Sequence, residues 1–173
     1  MLEGKYVNLR PIMKSDLKYI KEWINDLEVQ YYSQEKYPSY FDSWTIKNIY
    51  SDGIRGYKPI FIIEDKSGDV IGELWLDSLD MIRGSAELVI VIGKSLYRGI
   101  GYGKDAINTI KGYCFNVLGL ESLYLKVFSF NLRGINCYKA CGFKVIGRGP
   151  GRVIRYGAEY DELVMEVRRS DHD

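Results

Sequence analysis

The stretch AELVIVIGKSLYRGIGYGKDA, residues 86–106, determines how this 173-residue chain is interpreted. Its first part, residues 88–92, is apolar and rich in β-branched side chains, which is typical of a buried strand. A glycine cluster with basic flanks follows, made of Arg98, Gly99, Gly101, Gly103 and Lys104. A run with helical periodicity comes next, with Ile107, Ile110, Cys114 and Val117 predicted on one face. A strand, a glycine loop and a helix N-terminus direct backbone N–H groups at an anion, so the stretch predicts a phosphorylated ligand.

The composition limits the classes of function. Hydrophobic residues make up 46% of the chain and charged residues 27%, which is typical of a globular protein, and the length suits one domain over residues 1–173. The formal net charge of +1 gives no reason to expect nucleic acid or a membrane surface as a partner. Three cysteines, an odd number without a signal-peptide pattern, indicate a reducing, cytoplasmic compartment. No metal site is expected, because no His or Cys spacing suits one and the single histidine is His172.

Hydrophobic periodicity predicts an α/β fold. The predicted strands are residues 6–10, 59–64, 70–76, 85–92, 123–128, 143–147 and 163–167. The predicted helices are residues 17–24, 44–50, 103–118 and 134–140. The order strand, helix, strand over residues 86–128 predicts a parallel pair with a right-handed crossover inside a mixed sheet.

Two segments have no clear period. Residues 28–40 are rich in aromatic and polar side chains and predict a loop or a broken helix. Residues 148–162, RGPGRVIRYGAEYDE, are rich in glycine and arginine and predict a loop or an irregular hairpin.

Two common phosphate-binding motifs fail in the glycine loop. A dinucleotide fingerprint needs a glycine where Lys104 stands. A P-loop needs a glycine at Arg98 and a serine or threonine at Asp105. These failures argue against a nucleotide-binding protein.

The remaining pattern, Arg98-x-x-Gly101-x-Gly103, resembles the acetyl-coenzyme A pyrophosphate loop of the GNAT superfamily of N-acetyltransferases. Residues 131–143, NLRGINCYKACGF, resemble the downstream Asn-x-x-Ala/Ser-Ile-x-x-Tyr-x-x-x-Gly-Phe block of the same family, with Gly134 in place of Ala or Ser. Residues 8–17 and 157–165 are similar to the ends of the branch that includes ribosomal-protein N-terminal and spermidine acetyltransferases. The resemblance therefore covers essentially the whole chain.

The resemblance implies a GNAT-like mixed sheet of about seven strands, splayed between the fourth and fifth, with about four flanking helices. The pantetheine arm of acetyl-CoA would pair with the backbone of Ile90, Val91 and Ile92 in that opening. The pyrophosphate would bind N–H groups of Arg98, Gly99, Ile100, Gly101, Tyr102, Gly103 and Lys104, with charge added by the two basic residues. Asn131 would bind the pantetheine, or would simply cap a helix.

For catalysis, the resemblance makes Tyr138 the candidate general acid that protonates the leaving thiolate; the alternative is a core tyrosine. The proton acceptor is left open between Glu73 and Glu87, each of which could instead be a paired structural charge, with Glu35 as a third candidate. Cys137 is rejected as a nucleophile, since no histidine partners it.

The implied function is transfer of an acetyl group from acetyl-CoA directly to a primary amine in a ternary complex, with a protein N-terminus favoured. The alternatives are a polyamine or an aminoglycoside as acceptor, or a non-catalytic acyl-CoA-binding module. Residues 28–40 contain Glu28 and Glu35 and suit a cationic acceptor, whereas Arg148, Arg152 and Arg155 suit an acidic one. A homodimer is included among the expected assemblies.

Overall fold

The computed structural model describes residues 1–171, which form one eight-stranded mixed sheet and six α-helices. In spatial order the sheet runs β1-β2-β3-β4-β5-β6-β8-β7. The strands are β1 (Leu2–Glu3), β2 (Val7–Pro11), β3 (Ile60–Asp65), β4 (Val70–Asp80), β5 (Ser85–Ile92), β6 (Ser122–Phe128), β7 (Lys144–Arg155) and β8 (Ala158–Arg168). The helices are α1 (Leu17–Ile24), α2 (Leu27–Ser33), α3 (Ser43–Ile49), α4 (Ser51–Ile54), α5 (Tyr102–Asn116) and α6 (Leu132–Ala140). Within the described part of the chain, no helix combines the length and apolar character that a membrane span requires.

The sheet separates two apolar cores. On one face, Ile107, Ile110 and Cys114 of α5 are buried against the centre of the sheet. On the other face, α1 and α3 bury Ile20 and Ile46 against the sheet. The predicted face of α5 is confirmed for these three residues, but Val117 is 70% exposed because the helix ends before it.

β5 and β6 part along their length. They pair in parallel at three positions, Ser85 with Ser122, Ala86 with Leu123 and Glu87 with Tyr124. Beyond Glu87, β5 stays paired with β4 as far as Ile92, while β6 stays paired with β8 as far as Phe128. The predicted splay is therefore confirmed, and it leaves one edge of residues 88–92 without a strand neighbour.

The predicted ends of the last two strands are wrong. Of the two alternatives for residues 148–162, an irregular hairpin is confirmed, because β7 and β8 continue through these residues as a long antiparallel hairpin. Its register shifts twice, between Val145 and Gly147 and between Arg148 and Arg152. Such extra residues break the alternation from which a strand is recognised in a sequence. The turn places Tyr156 and Gly157 at positive φ.

The aromatic segment after α1 begins as a helix. α2 starts where the side chain of Asp26 accepts a hydrogen bond from the Val29 amide, 2.9 Å away. Residues 34–42 then continue without regular structure to α3. Of the two alternatives for residues 28–40, a broken helix is confirmed. The short strand β1 was missed because two residues carry no period.

Candidate active site

A cavity of about 880 Å³ opens where β5 and β6 separate. Most of the predicted site residues line it together, namely Glu73, Glu87, Ile90, Val91, Ile92, Arg98, Gly99, Gly101, Gly103, Lys104, Asn131 and Tyr138. Two predicted loop residues do not: Ile100 is 64% exposed, and Tyr102 packs against Tyr97 with ring centroids 5.0 Å apart. Glu35 is exposed and lies outside the cavity wall.

The glycine loop has the backbone geometry that anion binding requires. Gly99 and Gly101 have φ values of 75° and 104°, in the left-handed region that favours glycine. Within residues 1–171, no backbone N–H of residues 99–104 donates a hydrogen bond to a protein acceptor. Six unpaired N–H groups at the start of α5 are therefore available for the predicted contacts with phosphate oxygens.

Asp105 holds this helix start in place. Its carboxylate accepts hydrogen bonds from the backbone amides of Lys5, Tyr6 and Val7 at 3.1, 2.7 and 3.0 Å. The carboxylate therefore connects the first turn of α5 to the start of β2. The sequence gives no sign of this role of Asp105, since its partners lie about a hundred residues away.

Arg98, predicted to contact the pyrophosphate, is bound in this structure by groups of the protein itself. Its Nε donates to the carbonyl of Ile92 at 2.8 Å, and its Nη2 donates to that of Gly93 at 2.6 Å. Its Nη1 lies 2.8 Å from Glu28, which also lies 3.4 Å from Arg133 on α6. The guanidinium thus holds the end of β5 and joins α2 to both walls of the cavity. In this structure its charge is already paired.

Asn131 caps α6. Its Oδ1 accepts a hydrogen bond from the Gly134 amide at 2.9 Å. The helix-capping alternative is therefore observed, while Asn131 also lines the cavity. Gly134 leaves room for this cap, because a Cβ there would lie 2.7 Å from the Asn131 side-chain nitrogen.

Tyr138 faces the same cavity from α6. Its hydroxyl makes no hydrogen bond within the described residues. Burial, with smaller contributions from Cys137 and Cys141, raises the pKa of Tyr138 above its usual value. The phenol therefore keeps its proton near neutral pH, as a proton donor must.

The two candidate carboxylates differ sharply. Glu87 on β5 forms an ion pair with Lys126 on β6, at 3.2 Å, across the closed end of the opening. Glu73 on β4 is only 3% exposed and forms no ion pair among the described residues. Its Oε1 accepts a hydrogen bond from the Tyr50 hydroxyl at 2.8 Å, and burial raises its pKa to about 7. The sequence did not indicate Tyr50, which was assigned to a helix face.

The basic residues of the β7–β8 hairpin are already paired. Arg148 lies 3.1 Å from Asp161, and Arg152 lies 3.2 Å from Glu159. Arg155 is buried and donates to the backbone carbonyls of Tyr31, Gln34 and Ile154. None of the three arginines lines the cavity.

Comparison with known proteins identifies the family. Residues 7–144 match the family model described as acetyltransferase (GNAT) domain. The chain belongs to the GNAT acetyltransferase family. It is thus an acetyl-CoA-dependent N-acetyltransferase, as the glycine loop and the block of residues 131–143 predicted.

Among GNAT relatives, spermidine N(1)-acetyltransferase of Vibrio cholerae is 30% identical over 139 residues, which cover 79% of this chain and 78% of that protein. The crystal structure of that enzyme with CoA and spermine superposes with a TM-score of 0.86 at 26% identity, covering 98% and 99% of the two chains. A dodecameric structure of it gives a TM-score of 0.79 at 25% identity, covering 98% and 97%. An N-alpha-acetyltransferase of Sulfurisphaera tokodaii is 26% identical over 153 residues, 83% of this chain and 84% of that protein.

Proposed function

We propose that this GNAT enzyme acetylates a primary amine of a small polyamine-like molecule, with acetyl-CoA as the donor. The preference over a protein N-terminus rests on the charge of the cavity. Its wall includes four glutamates, of which Glu28 and Glu87 are paired with basic side chains. Glu73 and Glu162 form no ion pair among the described residues, and a cationic acceptor is attracted to such carboxylates. The similarity to spermidine N(1)-acetyltransferase over 79% of the chain supports the same class of acceptor.

The pairing of the hairpin arginines supports a cationic acceptor over an acidic one. In the sequence, the glutamates of residues 28–40 suit a cationic acceptor, whereas the arginines of residues 148–155 suit an acidic one. Arg148 and Arg152 are neutralised by neighbouring carboxylates, and Arg155 is directed at backbone carbonyls. The remaining basic residues of the wall are Arg98 and Lys104 at the glycine loop, Lys126, which is paired with Glu87, and Arg133, which is paired with Glu28. An acidic acceptor therefore has no free partner in the hairpin.

In this proposal the donor extends along the opening. The pyrophosphate occupies the free N–H groups of residues 99–104, and the pantetheine amides pair with the open edge of Ile90, Val91 and Ile92. This orientation leads the thioester from the glycine loop toward the closed end of the opening. Asn131 and Tyr138 line the opposite wall.

The chemistry requires a neutral amine and a leaving thiolate that becomes protonated. The amine attacks the thioester carbon, and the C–S bond of the tetrahedral intermediate breaks. The Tyr138 hydroxyl donates its proton to the thiolate sulfur as general acid. Glu162 in the cavity wall attracts the cationic acceptor, and no covalent intermediate on the enzyme is needed.

A homo-oligomer is part of the proposal, because the Vibrio cholerae relative has a dodecameric structure that covers almost the whole of both chains. The acceptor N-terminus of a protein is the second candidate, which the Sulfurisphaera tokodaii relative favours at lower identity.

Thiol release from acetyl-CoA tests the proposal against three acceptor classes: spermidine and spermine, an aminoglycoside, and short peptides with free N-termini. We expect kcat/KM to be highest for the polyamines. Higher values for peptides would move the assignment to a protein N-terminus. Tight CoA binding with no thiol release for any amine would indicate a binding module.

Tyr138→Phe tests the mechanism in the same assay. Removing the proton donor should lower kcat about 10²-fold. The CoA dissociation constant should stay within about two-fold of the wild type, because the hydroxyl acts only on the leaving sulfur. An unchanged kcat would remove Tyr138 as the acid.

A further inference from the structure

Only one of the two carboxylate oxygens of Glu73 accepts a hydrogen bond from a described residue. Oε1 accepts the Tyr50 hydrogen bond at 2.8 Å, whereas Oε2 is buried and has no hydrogen-bond partner in residues 1–171. A buried carboxylate oxygen without a donor is unfavourable, and such atoms are uncommon in folded proteins. Since Glu73 also lines the cavity, its free oxygen indicates a ligand that brings a donor.

The position of Glu73 relates this oxygen to the proposed reaction. Glu73 lies directly opposite Val91 in the β4–β5 register, so the two side chains share a face of the sheet. Val91 belongs to the open edge along which the pantetheine is proposed to lie. Trp23 and Trp75 line the cavity on the side of Glu73 and give the acceptor an apolar approach. The carboxylate therefore lies on the strand next to the one along which the donor is proposed to extend.

We infer that Glu73 Oε2 accepts the proton of the attacking ammonium and that Tyr50 is the positioning residue that orients this carboxylate. The inference rests on the proposed function. The Tyr50 hydroxyl occupies Oε1 and leaves Oε2 as the oxygen without a donor among the described residues. Tyr50 is itself 4% exposed and directly follows α3, so its ring is fixed by the core between α1 and α3.

Each proton of the attacking ammonium can be followed through the reaction. Oε2 takes one proton from the ammonium, and the freed lone pair forms the N–C bond. When the C–S bond breaks, the thiolate takes the Tyr138 proton, and the second amine proton restores the phenol. The carboxyl group of Glu73 returns its proton to water, so one proton is released per acetyl group transferred.

The groups around Glu73 determine the pH at which its carboxyl group ionises. Tyr50, directly after α3, and Trp23 of α1 lie on one side. Ile62 of β3 and Val91 of β5 are its neighbours in the sheet. Burial raises its pKa to about 7, and the Tyr50 hydrogen bond, which favours the charged carboxylate, opposes that rise. Among described residues no ion pair adds to these two causes.

The experiment measures kcat/KM for the acceptor against pH in the wild type, Glu73→Gln and Tyr50→Phe. The wild type should lose activity below an acid limb centred near pH 7. Glu73→Gln keeps the size of the side chain and an acceptor for Tyr50, and should lower kcat/KM about 10²-fold and abolish the limb. Tyr50→Phe should move the limb to higher pH, which a merely structural loss of activity would not do. Tyr57→Phe, at a tyrosine that is 79% exposed, is the control and should keep the wild-type profile.

A limb that persists in Glu73→Gln and disappears in Glu87→Gln would overturn the inference. So would a limb that stays at its wild-type pH in Tyr50→Phe. Carbon-13 NMR titration of the glutamate carboxyls, assigned with Glu73→Gln, provides a reading independent of turnover: the Glu73 signal should titrate near pH 7 and move upward in Tyr50→Phe. Titration of Glu73 near pH 4.5 in the wild type would contradict the inference, because the acid limb near pH 7 could not then belong to Glu73. Absence of thiol release from the wild type would instead refute the proposed function, and with it the catalytic role of Glu73.

Discussion

Replacing Gly101 with alanine should weaken CoA binding through the backbone alone. Gly101 has φ 104° and ψ −14°, and a Cβ added there meets no atom within 4 Å. The space is open, so the whole effect comes from the left-handed conformation, which costs an L-residue about 1–2 kcal/mol. In the variant the free loop relaxes away from the geometry that directs the N–H groups of residues 99–104 at one point. Binding must then restore that geometry.

The expected loss of affinity is about 10-fold, since about 1.4 kcal/mol corresponds to a factor of ten in the dissociation constant. Calorimetric titration with CoA measures it, while kcat at saturating acetyl-CoA should be retained. Gly112→Ala is the matched control, because Gly112 lies within α5, away from the cavity, and a Cβ there also meets nothing. Equal CoA affinity of Gly101→Ala and the wild type would refute the assignment of the loop to the pyrophosphate.

Three further predictions concern stability and reactivity. Arg155→Met leaves backbone carbonyls of the α2 end without donors and should lower the free energy of unfolding by about 2 kcal/mol, or about 4–8 °C in Tm, whereas exposed Arg152→Met should change little. Cys137, whose pKa is lowered chiefly by a hydrogen bond with Cys141, should be the first cysteine alkylated near neutral pH and should be protected by CoA. Cys114, with its pKa raised to about 12 by burial, should not react in the folded protein; equal labelling would contradict both statements. Because burial raises the pKa of Glu73 from 4.5 to about 7, its contribution to stability is complete below pH 4.5 and is lost as the pH rises through 7. Glu73→Gln should remove that part of the dependence of the unfolding free energy on pH.

The parts of the fold that follow from local pattern could be predicted. Residues 85–92 and 123–128 are short apolar runs joined by a helix, and they become β5, β6 and α5 within a few residues of the expected ends. The hairpin of β7 and β8 could not be predicted at full length, since its two register shifts interrupt the period of two. Val117 illustrates the same limit at the end of a helix: it is the C-cap residue of α5, and its side chain is exposed although the apolar period includes it.

The geometry of the candidate site could be predicted where it depends on backbone conformation. It could be predicted less well where it depends on the partners of side chains. The glycines at positions 99 and 101 specify their positive φ through their own chemistry. By contrast, Glu73 and Glu87 are indistinguishable in the sequence, because each depends on a distant partner: Tyr50 is 23 residues from Glu73, and Lys126 is 39 residues from Glu87. The charge of Arg98 suggested a phosphate ligand, yet three neighbouring groups occupy it.

The open edge of β5 has a consequence for how this protein avoids self-association. A strand with unpaired N–H and C=O groups at the border of a sheet is a template for the strand of another molecule. Here the free edge lies in the middle of the sheet, and the three residue pairs at its closed end hold both halves together. An incoming polypeptide would have to fit its side chains between β5 and the diverging β6. The pantetheine arm of CoA has two amides and no side chains, so it does not meet this obstacle. Because the unpaired edge of β5 lies inside the sheet, its N–H and C=O groups can bind a small molecule but are not accessible to a strand of another chain.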